Sequence, residues 1–134
     1  MARKTIRCTL VTPEARVLDA EVEYARVPLH DGAAGFQHDT GALVAKLGPG
    51  ELRLDMPGGT SRRWFIGGGF LQNVEDNLTI LAEQAIGQED LDEAEIKAEL
   101  AEAEARNTSD FEEMTKITEE RHKARAKLAV ARAR

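Results

Sequence analysis

Two histidine–aspartate pairs, His30-Asp31 and His38-Asp39, stand eight residues apart in a chain of 134 residues. Imidazole nitrogen and carboxylate oxygen make a mixed donor set that can hold a transition-metal ion. No cysteine or closely spaced second histidine completes either pair, and the spacing matches no established metal signature. Exposed loop polars around the turn signal Asp31-Gly32 are the simpler reading, and no metal is expected. Gly67-Gly68-Gly69-Phe70 is glycine-rich but lacks the Lys-Ser/Thr that completes a phosphate-binding loop. A bulge or a close backbone approach between strands explains it better. Ser61, Ser109 and the threonines have no His/Asp pattern to activate a hydroxyl. Acidic side chains crowd the stretch from Glu89 to Glu104, Asp92 and Glu95 among them, as on a solvated helix face. No catalytic residue and no cofactor follows from these patterns.

Composition narrows the classes further. At 42% hydrophobic and 31% charged residues the chain is globular. Aromatics make up only 4%, which argues against an aromatic-lined pocket or a base-stacking platform. A formal charge of -6 disfavours general nucleic-acid affinity. The single cysteine, Cys8, alternates in phase with Ile6 and Leu10 and is expected to be a small buried hydrophobe. One cysteine forms no internal disulfide, which suits a reducing compartment. The N-terminal Met1-Ala2-Arg3-Lys4 opens no apolar signal segment, and no apolar run reaches the ~18 residues of a membrane helix. Any membrane association is expected to come through a partner.

Chemistry-poor residues must still be carried by some scaffold, and its two parts have different periods. All 11 glycines and all 4 prolines lie at or before Gly87. Period-two alternation runs through 4–11, 21–28, 51–56, 62–67, 70–74 and 78–83, with Val22, Tyr24, Val27, Leu52, Leu54 and Met56 expected to face inward. Turn signals at Asp31-Gly32, Pro57-Gly58-Gly59 and Asp76-Asn77 separate these runs, a pattern that predicts an all-β sandwich or barrel. From Gln88 onward an apolar seam at Leu91, Ala94, Ala98, Ala101 and Ala105 predicts one helix. Asn107-Thr108-Ser109-Asp110 supplies a turn and N-cap. A second seam follows at Phe111, Met114, Ile117, Arg121, Ala124, Leu128 and Ala131. The short link predicts an antiparallel pair. The fold class expected is therefore α+β in two units: a β-sandwich over 1–87 and an α-helical hairpin over 88–134.

Taken in order, certain stretches resemble the epsilon subunit of F-type rotary ATP synthases. They are Leu10-Val11-Thr12-Pro13-Glu14, the segment from Pro28 to Phe36, Leu47-Gly48-Pro49-Gly50-Glu51-Leu52, and Gly67-Gly68-Gly69-Phe70-Leu71-Gln72-Asn73-Val74. Leu78-Thr79-Ile80-Leu81-Ala82-Glu83 and Asp90-Leu91-Asp92-Glu93-Ala94 complete the set. The resemblance implies a non-catalytic central-stalk subunit that couples proton flow through a c-subunit ring to ATP synthesis. It implies docking of the sandwich on the gamma subunit and the ring, through His30, Asp31, Gly32, His38, Asp39 and Thr40. It implies a hairpin that regulates ATP hydrolysis by transient contact with alpha and beta subunits, and a peripheral location on the cytoplasmic face of a bacterial inner membrane. A free-standing nucleotide sensor and a nucleic-acid-binding adaptor are the competing readings.

Two departures from the family pattern matter. Where many members carry Gly-Ile-x-Pro-Gly-His-Ala-Pro-Leu, this chain has His38, Thr40 and Ala42 at the Pro, His and second Pro positions. Loss of proline is expected to loosen the loop. Some members bind ATP through Ile/Leu-Asp-x-x-Arg-Ala; here Leu91-Asp92 is followed by Glu95 at the arginine position, which repels phosphate. Charge suggests another latch. Residues 89–120 hold 13 acidic and 3 basic side chains, and residues 121–134 hold 6 basic and none acidic. Folding the hairpin about Thr108 predicts Arg121 near Glu95, Lys123 near Glu93, and Arg125 or Lys127 near Asp90 and Glu89. Opened out, the two helices would reach roughly 70 Å at 1.5 Å per residue.

Overall fold

The computed structural model describes residues 4–133. Ten strands come first: β1 (Ile6–Val11), β2 (Arg16–Val22), β3 (Tyr24–Leu29), β4 (Gly32–Phe36), β5 (Leu43–Leu47), β6 (Gly50–Asp55), β7 (Ser61–Ile66), β8 (Gly69–Val74), β9 (Asn77–Ala82) and β10 (Ala85–Gly87). A 3₁₀ turn (Gln88–Asp90) leads to α1 (Glu93–Ala105) and α2 (Phe111–Arg132). Hydrogen bonding runs in the order β10-β7-β6-β3-β5-β8-β9-β1-β2, with β4 on β3. β3 and β5 meet at one pair, Leu29 with Leu47. There the path folds over into two layers, one built on β3, β6 and β7 and the other on β5, β8, β9 and β1. Most neighbours are antiparallel; β1 and β9 run parallel.

Alternation explains the core. Ile6, Cys8 and Leu10 of β1 point between the layers, as do Leu52 and Leu54 of β6, Trp64 and Ile66 of β7, and Leu78, Ile80 and Ala82 of β9. Cys8 is wholly enclosed, and burial pushes its thiol up to about 12. It acts as a small hydrophobe, as its phase in the strand predicts.

The run 21–28, expected as one strand, is two. The chain bends at Glu23, whose amide bonds the carbonyl of Asp55, and passes from β2 in one layer to β3 in the other. The bend slips the phase by one residue. Ala25 and Val27 are therefore buried and Tyr24 is only half-buried, on the outer side of β3. Strands β4 and β5 escape the alternation because Gly32-Ala33-Ala34-Gly35 carries almost no side chain and β5 is largely exposed.

The first-helix seam is also corrected. Ala94, Ala98, Ala101 and Ala105 are exposed, while Ile96 and Ala103 are buried with Leu100 partly covered between them. An i, i+4, i+7 row carrying Ile and Leu hides more apolar area than an all-Ala row on the opposite side. In α2 the expected face holds at Ile117 and Ala124, but Phe111 is 85% exposed.

Candidate functional site

The outer face of the β5–β8–β9–β1 layer carries apolar side chains in register. Val11 pairs with Leu81, Leu81 with Phe70, and Phe70 with Lys46. Val44 lies one row away, opposite Gln72. Phe70 is 57% exposed, Leu81 51% and Val44 72%. A shallow groove runs along this face, lined by Val11, Thr12, Pro13, Phe70, Leu81 and Glu83. A contiguous apolar row on a solvent-facing sheet marks a docking surface. The sequence carries a signal for it: Phe70 and Leu81 are apolar in the strand phase that faces solvent.

Loops close this face at both ends, and the structure divides the six expected interface residues between them. His30 and Asp31 form the two-residue turn between β3 and β4, with Gly32 at φ +128°, a value that favours glycine. His38, Asp39 and Thr40 follow β4 and lie at the other end, about 15 Å away along five residues of strand. Here the structure gathers the second His-Asp pair with Asp76, which the sequence marks only as a turn signal. His38 Nδ1 contacts Asp76 Oδ2, His38 Nε2 lies 3.3 Å from Asp39 Oδ2, and the Asp39 amide donates to Asp76 Oδ1 at 2.9 Å. That amide, with His38, holds the Asp76 carboxyl below its usual range. Asn73 Nδ2 donates to the carbonyls of Thr40 and Gly41 at 3.2 and 3.1 Å, and Thr40 Oγ1 donates to Gln37 O at 2.8 Å. These cross-links tie the loop where proline would otherwise stiffen it.

The helical hairpin lies on the opposite layer, α2 against β6 and β7. Phe65, on the outward face of β7, is fully buried in this arrangement, and Lys127 Nζ stands 5.5 Å from its ring centroid. Lys127 also reaches Glu99 at 3.4 Å, so one side chain joins β7, α2 and α1.

The expected charge register is not the one formed: Lys127, expected near Asp90 and Glu89, reaches Glu99, about ten residues further along the chain. Arg125 pairs with Glu104, Lys127 with Glu99, Arg132 with Glu93 and Arg106 with Glu120. Arg106 and Asp110, at the two ends of the link, are extended, with ψ 139° and 124°. An extended residue advances about 3.3 Å against 1.5 Å in a helix, so the link carries the chain past the end of α1 before α2 turns back. The first turns of α2 overhang, and all pairs shift. Arg121, expected beside Glu95, instead forks onto the end of α1. It donates to the carbonyls of Ala103 and Arg106 at 2.9 Å and of Glu104 at 3.3 Å. These carbonyls have no partner within the helix. Lys123 lines the groove between the helices with Glu99, Glu102 and Glu120, not beside Glu93. Asp92 caps α1, accepting from the amides of Ala94 and Glu95 at 2.9 and 3.3 Å. Glu95 is exposed on the first turn. Glu93 is held below the usual carboxylate range by Arg132, with Lys97 adding to it.

A family model for the ATP synthase delta/epsilon chain β-sandwich domain matches residues 5–88. This chain belongs to the ATP synthase delta/epsilon family. It is 32% identical to the ATP synthase epsilon chain of Syntrophomonas wolfei over 133 residues, covering 99% of this chain and 92% of the relative. It is 39% identical to that of Rhodopirellula baltica over 99 residues, 74% of this chain and 77% of the relative. The fold is similar to a chain of the Euglena gracilis mitochondrial ATP synthase with TM-score 0.75 and 23% identity, over 96% of this chain and 77% of that one. A chain of the Tetrahymena thermophila mitochondrial ATP synthase central stalk and c-ring gives TM-score 0.70 and 14% identity, over 98% and 99%. As an epsilon-type chain it is an accessory subunit of a rotary ATP synthase, not itself catalytic. No helix among the described residues is long and apolar enough to cross a membrane.

Proposed function

We propose that this subunit couples rotation of a proton-driven c-subunit ring to ATP synthesis, with the exposed Val11–Leu81–Phe70 row seated on the gamma subunit. The observation that carries this reading is the asymmetry of the two sheet faces. One is covered by the chain's own hairpin, and the other leaves large apolar side chains in water. The two loop ends flank that open face. His30, Asp31 and Gly32 at one end and His38, Asp39 and Thr40 at the other are too far apart for one small patch. One end meets the ring and the other lies along gamma. Attachment to the membrane, at the cytoplasmic face of a bacterial inner membrane, then comes through the complex.

The hairpin supplies the regulation. Docked on β6 and β7 it leaves the catalytic subunits free. Released, its basic α2, with Arg121, Lys123, Arg125 and Lys127, reaches transiently to alpha and beta and restrains ATP hydrolysis. The docked state is held by one face of α2 on β6 and β7, a limited contact that can exchange with the released state. ATP is a poor latch here, because Asp92 is engaged as a cap and Glu95 stands at the phosphate-facing position of the family motif.

The test replaces Phe70 and Leu81 together by Asp. Both side chains point away from the core, so the subunit folds. The expected outcome is loss of co-purification with gamma and ATP hydrolysis without proton pumping by the assembled enzyme. Normal assembly and normal pumping would overturn the docking assignment.

A further inference from the structure

Where the sheet gives way to the hairpin, one side chain reads the far end of the chain's last helix. Gln88 Nε2 donates to the carbonyls of Val130 at 2.9 Å and Ala133 at 2.6 Å. Val130 itself is fully buried. The last four carbonyls of a helix have no partner within it, and the negative end of the helix dipole adds to their demand for a donor. In α2 the Ala133 amide returns to Val130 O, and the Gln88 amide supplies two further bonds from outside the helix. Gln88 sits in the 3₁₀ turn directly after β10, which is paired to β7 through Gly87 and Trp64. Its position is therefore fixed by the sandwich, not by the hairpin.

We propose that Gln88 is the clasp that holds α2 on the sandwich and sets the balance between docked and released hairpin. The proposal rests on the regulatory reading above and names the residue on which that regulation turns. The ion pairs that cross the hairpin cannot do this work. Arg125–Glu104, Lys127–Glu99 and Arg132–Glu93 join α2 to α1, so they persist if both helices leave the sheet together. Only contacts between the hairpin and the β unit, or its emerging turn, distinguish the docked state. Of these, the burial of Phe65 beneath α2 is apolar and non-directional, and Lys127 over its ring is a single cation–π approach. The Gln88 pair is directional and ties the terminal turn. When the helix leaves, water must take over both carbonyls and the amide.

The chemistry makes the substitutions unequal. Leu at position 88 keeps the bulk and removes both donors. Glu keeps the shape, replaces the donors with a carboxylate, and sets negative charge against the helix C-terminus. Lys restores donors and places positive charge there. The readout is the docked fraction of the full-length subunit, measured as the distance between spectroscopic labels at Thr60 and Glu119. Gln88→Leu is expected to lower the docked-to-released ratio on the order of tenfold, which is about 1.4 kcal/mol. Gln88→Glu is expected to lower it further, and Gln88→Lys to keep it near wild type. Loss of docking in Gln88→Lys equal to that in Gln88→Leu, or an unchanged ratio in Gln88→Glu, would overturn the clasp. ATP hydrolysis by complexes carrying the same variants tests the reading beneath it. If docking shifts as expected and hydrolysis does not follow, the clasp stands and the regulatory assignment falls.

Discussion

Replacing Arg121 by Ala should weaken the hairpin far more than its place in a string of basic residues suggests. The guanidinium makes two bonds of 2.9 Å, to Ala103 O and Arg106 O, and a longer one of 3.3 Å to Glu104 O. Hydrogen bonds from a charged donor contribute about 1.5–3 kcal/mol in favourable cases. The site is only partly buried, and water can reach some of the freed carbonyls. A total loss of about 2 kcal/mol follows, or roughly thirtyfold in the local opening equilibrium. Arg125 offers the internal control. It makes one ion pair to Glu104, with both partners at least half exposed, and its removal should cost about 0–0.5 kcal/mol. Arg121→Lys should fall between the two, since a single ammonium cannot fork across three carbonyls. Native-state amide exchange in the last turn of α1, where the Arg106 amide bonds Glu102 O, reads the difference directly. Equal exchange in the Arg121→Ala and Arg125→Ala subunits would refute the capping argument. So would an Arg121→Lys subunit that exchanges like wild type.

Two glycines at high positive φ should respond differently to alanine. At Gly69, φ +125°, an added Cβ falls on the carbonyl oxygen of Leu81, and the loss should exceed about 3 kcal/mol in urea unfolding. Gly32, φ +128°, faces open space, and only the backbone strain of about 1–3 kcal/mol should appear there. The Asp76 clamp should respond to acid. The Asp39 amide and His38 lower the folded carboxyl below its ordinary 3.8. Its contribution is therefore present above that value and lost as pH falls through the lower folded one. Exchange protection of the Asp39 amide should survive at pH 5 and collapse only under stronger acid. Loss of protection already at pH 5, or a clamp in Asp76→Asn that still titrates, would contradict this.

Much of the molecule is written locally. Glycine and proline stop at Gly87, and the β-to-helix transition lies there because helices exclude both residues from their interiors. Strand phase placed Cys8, Leu52 and Leu54 in the core without any tertiary information. Asp110 was legible as a cap because its chemistry acts over two or three residues. The ordered family motifs identified the chain's relatives.

What the sequence could not convey depends on where distant segments meet. The bend at Glu23 flips the phase of β3, since one irregular residue reverses every later side chain. The register of the hairpin depends on the extended conformation of its link, which no helical count includes. The candidate site shows the same division. Phe70 and Leu81 become a surface only when β8 and β9 pair them, and Asp76 joins His38 only across two loops. Gln88 meets Val130 only when the hairpin lies on the sheet. Periodicity reports which way a side chain faces on its own element; the packing of the elements decides what it finds there.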